Sequence, residues 1–301
     1  MRNVLIMNFL YRPKPYPDSL VARAQYWIDF FLRQDMHVIG TVPSGRKEAI
    51  DRLAARDEER CALSSIMSFD TCDRWRRGLS DALEKFPKAD HFFLWSADFV
   101  SPEEESKESG KPIEETGSMR AALELINYRG QEDLVVGTIE ASGTKEAIDR
   151  FGTYPLLQLW FPEEFQSIVH MGLLKPRSEL LRLSPDFLES ALGKRWYPTE
   201  QTIHLILQCL WSSEQNQPYG VTALQLPKIP DEPSARSNLD AVQQVDRMEL
   251  WLKYIWRDKS RGWVLLDYLS RCQKSFEIVQ RAYNALEIVI LNEASLQPGT
   301  G

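Results

Sequence analysis

His91-Phe92-Phe93-Leu94-Trp95 is an almost unbroken apolar run that stops abruptly at Ser96-Ala97-Asp98. A strand that is apolar without alternation is one covered on both faces, as happens in sheets with helices packed on each side. The run therefore predicts a central strand of an α/β sheet, with Asp98 at its C-terminal end. Open α/β sheets bind their ligands at that edge.

The first two-thirds of the chain fits the same frame, with strand-like and helix-like stretches in alternation. Asn3 to Leu10 and His37 to Val42 read as strands, with Leu20, Ala24, Trp27, Phe30 and Phe31 at helical spacing between them. A charged helix is expected from Arg46 to Arg60, a short apolar piece near Ile66, and a helix from Asp70 to Phe86 capped by Asp70 or Thr71. The acidic, Ser-rich and Gly/Pro-containing stretch from Ser101 to Thr116 reads as a mobile surface loop. Met119 to Asn127 is expected as a helix and Asp133 to Ile139 as a strand. Lys145 to Ile168 is helical or irregular, Gly172 to Leu174 a short strand, and helices start near Ser178 or Pro185 and at Thr199. A Pro-rich link from Leu226 to Pro233 precedes a helical region from Leu239 to about Leu291. The expected organisation is an α/β domain over 1–225 and a link with a helical subdomain over 226–301.

Composition excludes several classes. Hydrophobic residues are 43% and charged residues 26%, as in ordinary globular proteins. A formal charge of −7 argues against binding nucleic acid, which needs clustered Lys and Arg with little opposing acid. Cys61, Cys72, Cys209 and Cys272 lie far apart with no CxxC pair, so reduced thiols in a cytoplasmic protein are expected. No stretch reaches the ~20 apolar residues of a membrane span, which leaves peripheral membrane contact. Trp251, Tyr254, Trp256, Trp263, Tyr268, Phe276 and Tyr283, with Lys253, Arg257, Lys259 and Arg261 between them, read as core packing, or as a face for an anionic membrane or a partner.

The order Arg76-Arg77-Gly78-Leu79-Ser80-Asp81-Ala82, then Lys88-Ala89-Asp90 and the apolar run ending Ser96-Ala97-Asp98, resembles the GT-A glycosyltransferases. The resemblance extends in order, less specifically, over Asn3 to Leu210. It implies a GT-A-like, Rossmann-type mixed sheet flanked by helices. It also implies transfer of a hexose from a nucleotide diphosphate sugar to a hydroxyl on a sugar, small molecule or lipid-linked acceptor. Departure of a diphosphate needs neutralisation by a divalent cation, Mn2+ or Mg2+, and by Arg or Lys.

By the same resemblance Asp98 binds the metal, Ala97 lies under the ribose, and Arg76 or Arg77 meets the donor's base or diphosphate. Tyr11 would stack on the base and Arg12 meet phosphate. Glu200, in the first turn of a helix, is the candidate base that deprotonates the acceptor, and His170 or His204 an additional metal ligand. Ser96 departs from the pattern, because the family carries an acid there; its hydroxyl can still bond the ribose or a metal-bound water. Thr41-Val42-Pro43 also lacks the acid that many relatives place after the second strand. Each residue has a plainer reading as well: Asp98 as a turn or cap residue, Glu200 as helix N-terminal charge, and the histidines as structural hydrogen-bonders.

Two other functions fit less of the pattern. One is a non-catalytic nucleotide-sugar binder or assembly partner of the same fold, motivated by Ser96. The other is a nucleotidyltransferase, disfavoured because Tyr11-Arg12-Pro13-Lys14-Pro15-Tyr16-Pro17 contains no Gly.

Overall fold

The computed structural model describes residues 3–8, 18–43, 60–66, 71–140, 143–173, 177–194, 201–215, 218–230, 238–260 and 262–296. The expected helix over 46–60 lies outside them. The strands are β1 (Asn3–Asn8), β2 (His37–Pro43), β3 (Cys61–Ile66), β4 (His91–Ser96), β5 (Leu134–Thr138), β6 (Leu181–Leu183) and β7 (Val221–Gln225). They form a seven-stranded sheet in the order β3-β2-β1-β4-β6-β5-β7. Strand β6 runs antiparallel to both its neighbours, and the other pairings are parallel.

The helices of this sheet unit are α1 (Asp18–Arg33), α2 (Thr71–Lys85), α3 (Pro102–Ser109), α4 (Gly117–Ile126), α8 (Pro185–Leu192) and α9 (Gln201–Trp211). Between α4 and α8 come α5 (Gly143–Ala147), α6 (Tyr154–Trp160) and α7 (Pro162–His170), and the chain closes with α10 (Asn238–Lys259) and α11 (Leu265–Leu296).

Two compact units result. The first holds residues 1–139 and 176–232, and the second 140–175 and 233–301. Residues 140–175, which sequence patterning leaves inside the α/β domain, thus pack with the C-terminal helices. The large side chains of that insertion explain the choice. Trp160 is 1% exposed, its indole N–H donates to Ser275 Oγ at 3.3 Å, and its ring meets Trp256 edge-on at 5.6 Å.

Alternation along the strands sorts the first unit's core. Leu5, Met7, Phe93 and Trp95 face α1 and α4, whose Ala24, Trp27, Ile28, Phe31, Ala121, Ala122 and Leu125 share one apolar cluster with them. Residues of opposite parity, Val4, Ile6, Phe92, Leu94 and Ser96, turn to the other face. Helix α2 covers that face, and Gly78 lets it come close: a Cβ there would lie 2.7 Å from Thr41 Cγ2 and 2.8 Å from Ile6 Cγ2.

The segment from Ser101 to Thr116 is not a loop. Ser101 Oγ accepts from Glu104 N at 3.3 Å while Glu104 Oε2 accepts from Ser101 N at 3.1 Å, a reciprocal cap at the start of α3. Pro102 fits the first turn, and Gly110 ends the helix at φ 72°. Its acidic composition is used structurally as well. Glu105, 7% exposed, accepts from Gly117 N at 2.7 Å, Ser118 N at 2.9 Å and Ser118 Oγ at 2.7 Å, so its carboxylate binds the N-terminus of α4. The expected strand at Gly172 to Leu174 is also corrected. Gly172 lies in a turn, Leu173 is irregular and Leu174 lies outside the described residues, while the strand of this region, β6, comes later. Strand β7, unmarked in the sequence reading, borders β5.

Replacing Glu105 by Ala strands the donors of a buried Ser118 and removes a carboxylate from a helix N-terminus. Urea denaturation of Glu105→Ala should show a loss of about 2–3 kcal/mol, against a negligible change for exposed Glu103→Ala.

Candidate functional site

Chain order reverses across β1: the connection from β1 leads to β2 on one side, and the chain later returns to β4 on the other. Asn8 and Ser96 are paired at the carboxyl ends of these two strands. Such a reversal opens a crevice at the carboxyl edge of the sheet, where ligands of this architecture bind.

Asp98 stands at that edge in a fixed turn. Phe99 N donates to Ser96 O at 3.4 Å, and the indole N–H of Trp27 donates to Phe99 O at 2.9 Å. The rings of Trp27 and Trp95 lie 4.7 Å apart, and Phe99 meets Trp95 edge-on at 5.2 Å. Ala97 and Val100, 2% and 5% exposed, bury the turn from both sides of Asp98, which stays half-buried. The apolar strand, α1 and the turn thus act as one clamp on the backbone that presents this carboxylate.

Ser96 completes the strand on the face toward α2. It is 1% exposed, and among the described residues its Oγ has no hydrogen-bond partner. An unbonded buried hydroxyl costs roughly 1–3 kcal/mol, so this position favours any ligand atom able to bond it.

The arginines divide differently from expectation. Arg76 and Arg77 lie on the exposed side of α2, and Arg77 Nε pairs with Asp81 at 2.9 Å. The buried guanidinium is that of Arg74, fully covered and on the same helical stripe as Trp75, Gly78, Leu79 and Ala82. Arg74 precedes Gly78 by four residues, about 6 Å along the axis. Helix α2 enters from the carboxyl ends of the strands, so this displacement carries Arg74 toward the crevice. The signal in the sequence was helical phase relative to Gly78, and the adjacent Arg76-Arg77 pair obscured it.

Helix α9 begins at the same edge. Thr202 Oγ1 donates to Ser178 O, and Ser178 Oγ donates to the carbonyl of Gly137 near the end of β5. His204, one turn into α9, is 3% exposed, and its Nε2 lies against the side-chain amide of Gln208, a contact that a metal at Nε2 would have to displace. Burial pushes its imidazole down to about 4, with the charge of Arg76 acting in the same direction. His170 ends α7 as an exposed residue of the second unit. Tyr11, Arg12 and Glu200 lie outside the described residues. Among the described residues no group of three or more His, Cys, Asp or Glu could enclose a metal ion. Asp98 offers a single carboxylate.

On the other side of the turn, Arg23 Nε donates to Glu104 Oε2 at 2.7 Å and ties α1 to the start of α3. Burial works against the charge of Glu104, but the hydrogen bonds from Arg23 and Ser101 outweigh it and hold the carboxyl below its ordinary range. An open cavity of about 740 Å³, lined by Asp186, Glu189, Ser190, Gly193, Lys194, Pro218 and Tyr219, lies at the opposite edge, beside the beginnings of β5 and β7. Topology puts the candidate site at the carboxyl edge, away from this cavity.

The strand order, the antiparallel β6 and the helices on both faces define a GT-A-like fold. Among solved structures it is similar to the glucosyl-3-phosphoglycerate synthase of M. tuberculosis, with a TM-score of 0.50 and 14% identity over 90% of this chain and 80% of that one. Weaker likenesses include the mannosyl-3-phosphoglycerate synthase of Rubrobacter xylanophilus (TM-score 0.48, 10% identity, 86% of this chain and 77% of that one). Another is a mannosyltransferase from Pyrobaculum calidifontis in complex with GDP-Man and Mn2+ (TM-score 0.48, 11% identity, 98% of this chain and 76% of that one). At 14% identity the first of these likenesses bears on the fold alone. No family model matches the sequence, and no curated protein matches it.

An unfolded histidine titrates at the ordinary value of 6.5, whereas folded His204 titrates near 4. Between those values the unfolded chain binds the extra proton, so stability is full above the upper one and falls as pH drops toward the lower. The imidazole resonances of His204 should therefore titrate with a midpoint near 4, and His204→Gln should flatten the fall in Tm between those pH values. A midpoint at the unperturbed value would contradict this burial.

Proposed function

We propose that this protein transfers a hexose from a nucleotide diphosphate sugar to a hydroxyl acceptor, with Asp98 as the carboxylate that holds a divalent cation against the donor's diphosphate. The observation that carries the reading is a carboxylate clamped at the topological switch of a GT-A-like sheet, beside a buried hydroxyl without a partner.

A single carboxylate suits Mg2+ or Mn2+ in this role, because such ions are commonly bound through one or two carboxylates, with substrate phosphates and water completing the shell. When bound, the cation would neutralise charge on the leaving diphosphate. The chain's own residues supply the rest. Asp98 fixes the cation's position, and Ser96 Oγ bonds the ribose or a metal-bound water in place of the family's acid. Ala97 would lie under the ribose. Arg74 would be a further cation for the diphosphate, alongside Arg76 and Arg77. Tyr11 and Arg12 would receive the base and phosphate, Glu200 would take the acceptor's proton, and His204 or His170 would be the further metal ligand. Preorganised charge of this kind supplies most of the stabilisation a departing diphosphate needs.

Isothermal titration with a panel of nucleotide diphosphate sugars, with and without Mn2+, tests the reading. Metal-dependent binding with slow donor hydrolysis is expected, and Asp98→Asn should lower turnover by about a hundredfold or more with Tm preserved. Failure of every donor to bind would overturn it.

Ser96→Ala gives a more discriminating outcome. It removes an unbonded buried hydroxyl, so Tm should hold or rise, while donor affinity falls by roughly threefold to tenfold through one lost hydrogen bond.

A second reading, a nucleotide-sugar binder without turnover, draws on the same Ser96. It predicts donor binding without hydrolysis or transfer to any acceptor, and no change in donor fate with Asp98→Asn.

A further inference from the structure

Beyond the turn at Asp98, the carboxyl edge of the sheet carries further polar groups. Leu94 of β4 and Val136 of β5 flank the same residue of β6, Leu181. Ser96 and Thr138, each two residues further on, therefore point to one face, two strand spacings or roughly 10 Å apart. Thr138 is fully buried, and among the described residues its Oγ1, like Ser96 Oγ, has no hydrogen-bond partner. Val fills an interior strand position without stranding a polar group, so the Thr138 hydroxyl calls for a partner from outside the chain.

Glu179 lies between these two positions. Counting back along the antiparallel β6 from Leu181 brings it level with Ser96 and Thr138, where it is half-buried. Its backbone is tied on both sides. Ser178 Oγ donates to Gly137 O, Thr202 Oγ1 donates to Ser178 O, Leu180 N donates to Ser178 Oγ at 3.1 Å, and Gly137 N donates to Leu180 O at 2.7 Å. Strand β5, helix α9 and the lead into β6 thus fix the backbone that carries this carboxylate, as the Trp27 clamp fixes that of Asp98. All of these residues belong to the sheet unit.

The chemistry of the two side chains specifies what they take. An ionised carboxylate only accepts hydrogen bonds and can take two donors side by side, while a threonine hydroxyl both donates and accepts. Neighbouring hydroxyls on a sugar ring are such a pair of donors. A phosphate would meet like charge at Glu179, and the described residues form no group of acids, His or Cys that could hold a metal ion there. With the cation and diphosphate at Asp98 and the ribose at Ser96, the hexose is the part of the donor left to reach the ends of β5 and β6. We propose that Glu179 and Thr138 select the transferred hexose, Glu179 accepting from two neighbouring hydroxyls of its ring and Thr138 Oγ1 bonding a third, a role that rests on the transferase reading above.

Titration calorimetry of the full chain with Mn2+ tests this, using uridine diphosphate with its glucose and galactose esters, and guanosine diphosphate with its glucose and mannose esters. Affinity for either nucleoside diphosphate alone should be the same in wild type, Glu179→Gln and Thr138→Val. Affinity for the preferred donor should fall roughly tenfold or more with Glu179→Gln and roughly threefold to tenfold with Thr138→Val. The ratio of affinities between epimeric hexoses on one base should shrink in both variants. Thr138→Val should hold or raise Tm, so its loss of donor affinity reports a ligand contact and not a damaged fold. Donor affinities and epimer ratios that neither variant changes overturn this inference alone and leave the transferase reading standing. Equal losses for nucleoside diphosphate and donor also overturn it, since the side chains would then act on the diphosphate or on the fold. A wild-type chain that binds no nucleoside diphosphate and no donor overturns the transferase reading and this inference with it.

Discussion

The hydrogen bond from the Trp27 indole to the Phe99 carbonyl is the contact on which the rest of the account depends. It joins α1 to the turn that follows the central strand, and the packed, mutually inclined rings of Trp27, Trp95 and Phe99 surround it. A carboxylate on a free loop samples many positions, and its entropy must be lost each time a charged ligand arrives. Asp98 has lost most of that freedom on folding. The clamp is built from large apolar side chains, so core burial is converted into placement of a charge at the sheet's edge.

The opposite face of the same strands contributes the second half of the site. Close approach of α2 through Gly78 sets that helix near the carboxyl ends of β1 and β2, and helical phase then carries Arg74 toward the crevice edge. With Ser96 in place of an acid, the site has one carboxylate fewer to repel a diphosphate and one fewer to hold a cation. Under the proposed function that shift would put more of the charge neutralisation on the guanidinium groups of α2, beside a buried Ser96 hydroxyl that has no partner among the described residues.

The fold was legible in the sequence wherever periodicity was strong. Strands β1, β2 and β4 and helices α1 and α2 carry unbroken apolar runs or clean helical spacing, so their place in a layered sheet follows from side-chain pattern. In the stretch after Ser101 composition and position conflict: acidic and Ser-rich sequence reads as loop, yet Ser101, Pro102, Glu104 and Gly110 stand where a capped helix needs them. Strands β6 and β7 are too short, and β7 too exposed, to leave a periodic trace, and both are held by neighbours distant in sequence. At the sheet's carboxyl edge the position of Asp98 was legible because it depends on the end of one strand. Arg74 was not, since its burial depends on which face of α2 meets the sheet.

The account turns on a cation shared between Asp98 and a diphosphate. A crystal soaked with a uridine or guanosine diphosphate sugar and manganese reports this directly through the anomalous signal of the metal. The account predicts a peak within coordination distance of an Asp98 carboxylate oxygen, bridging to both phosphates. A metal or diphosphate bound elsewhere, with Asp98 turned away from it, would contradict the account and leave only the architecture standing.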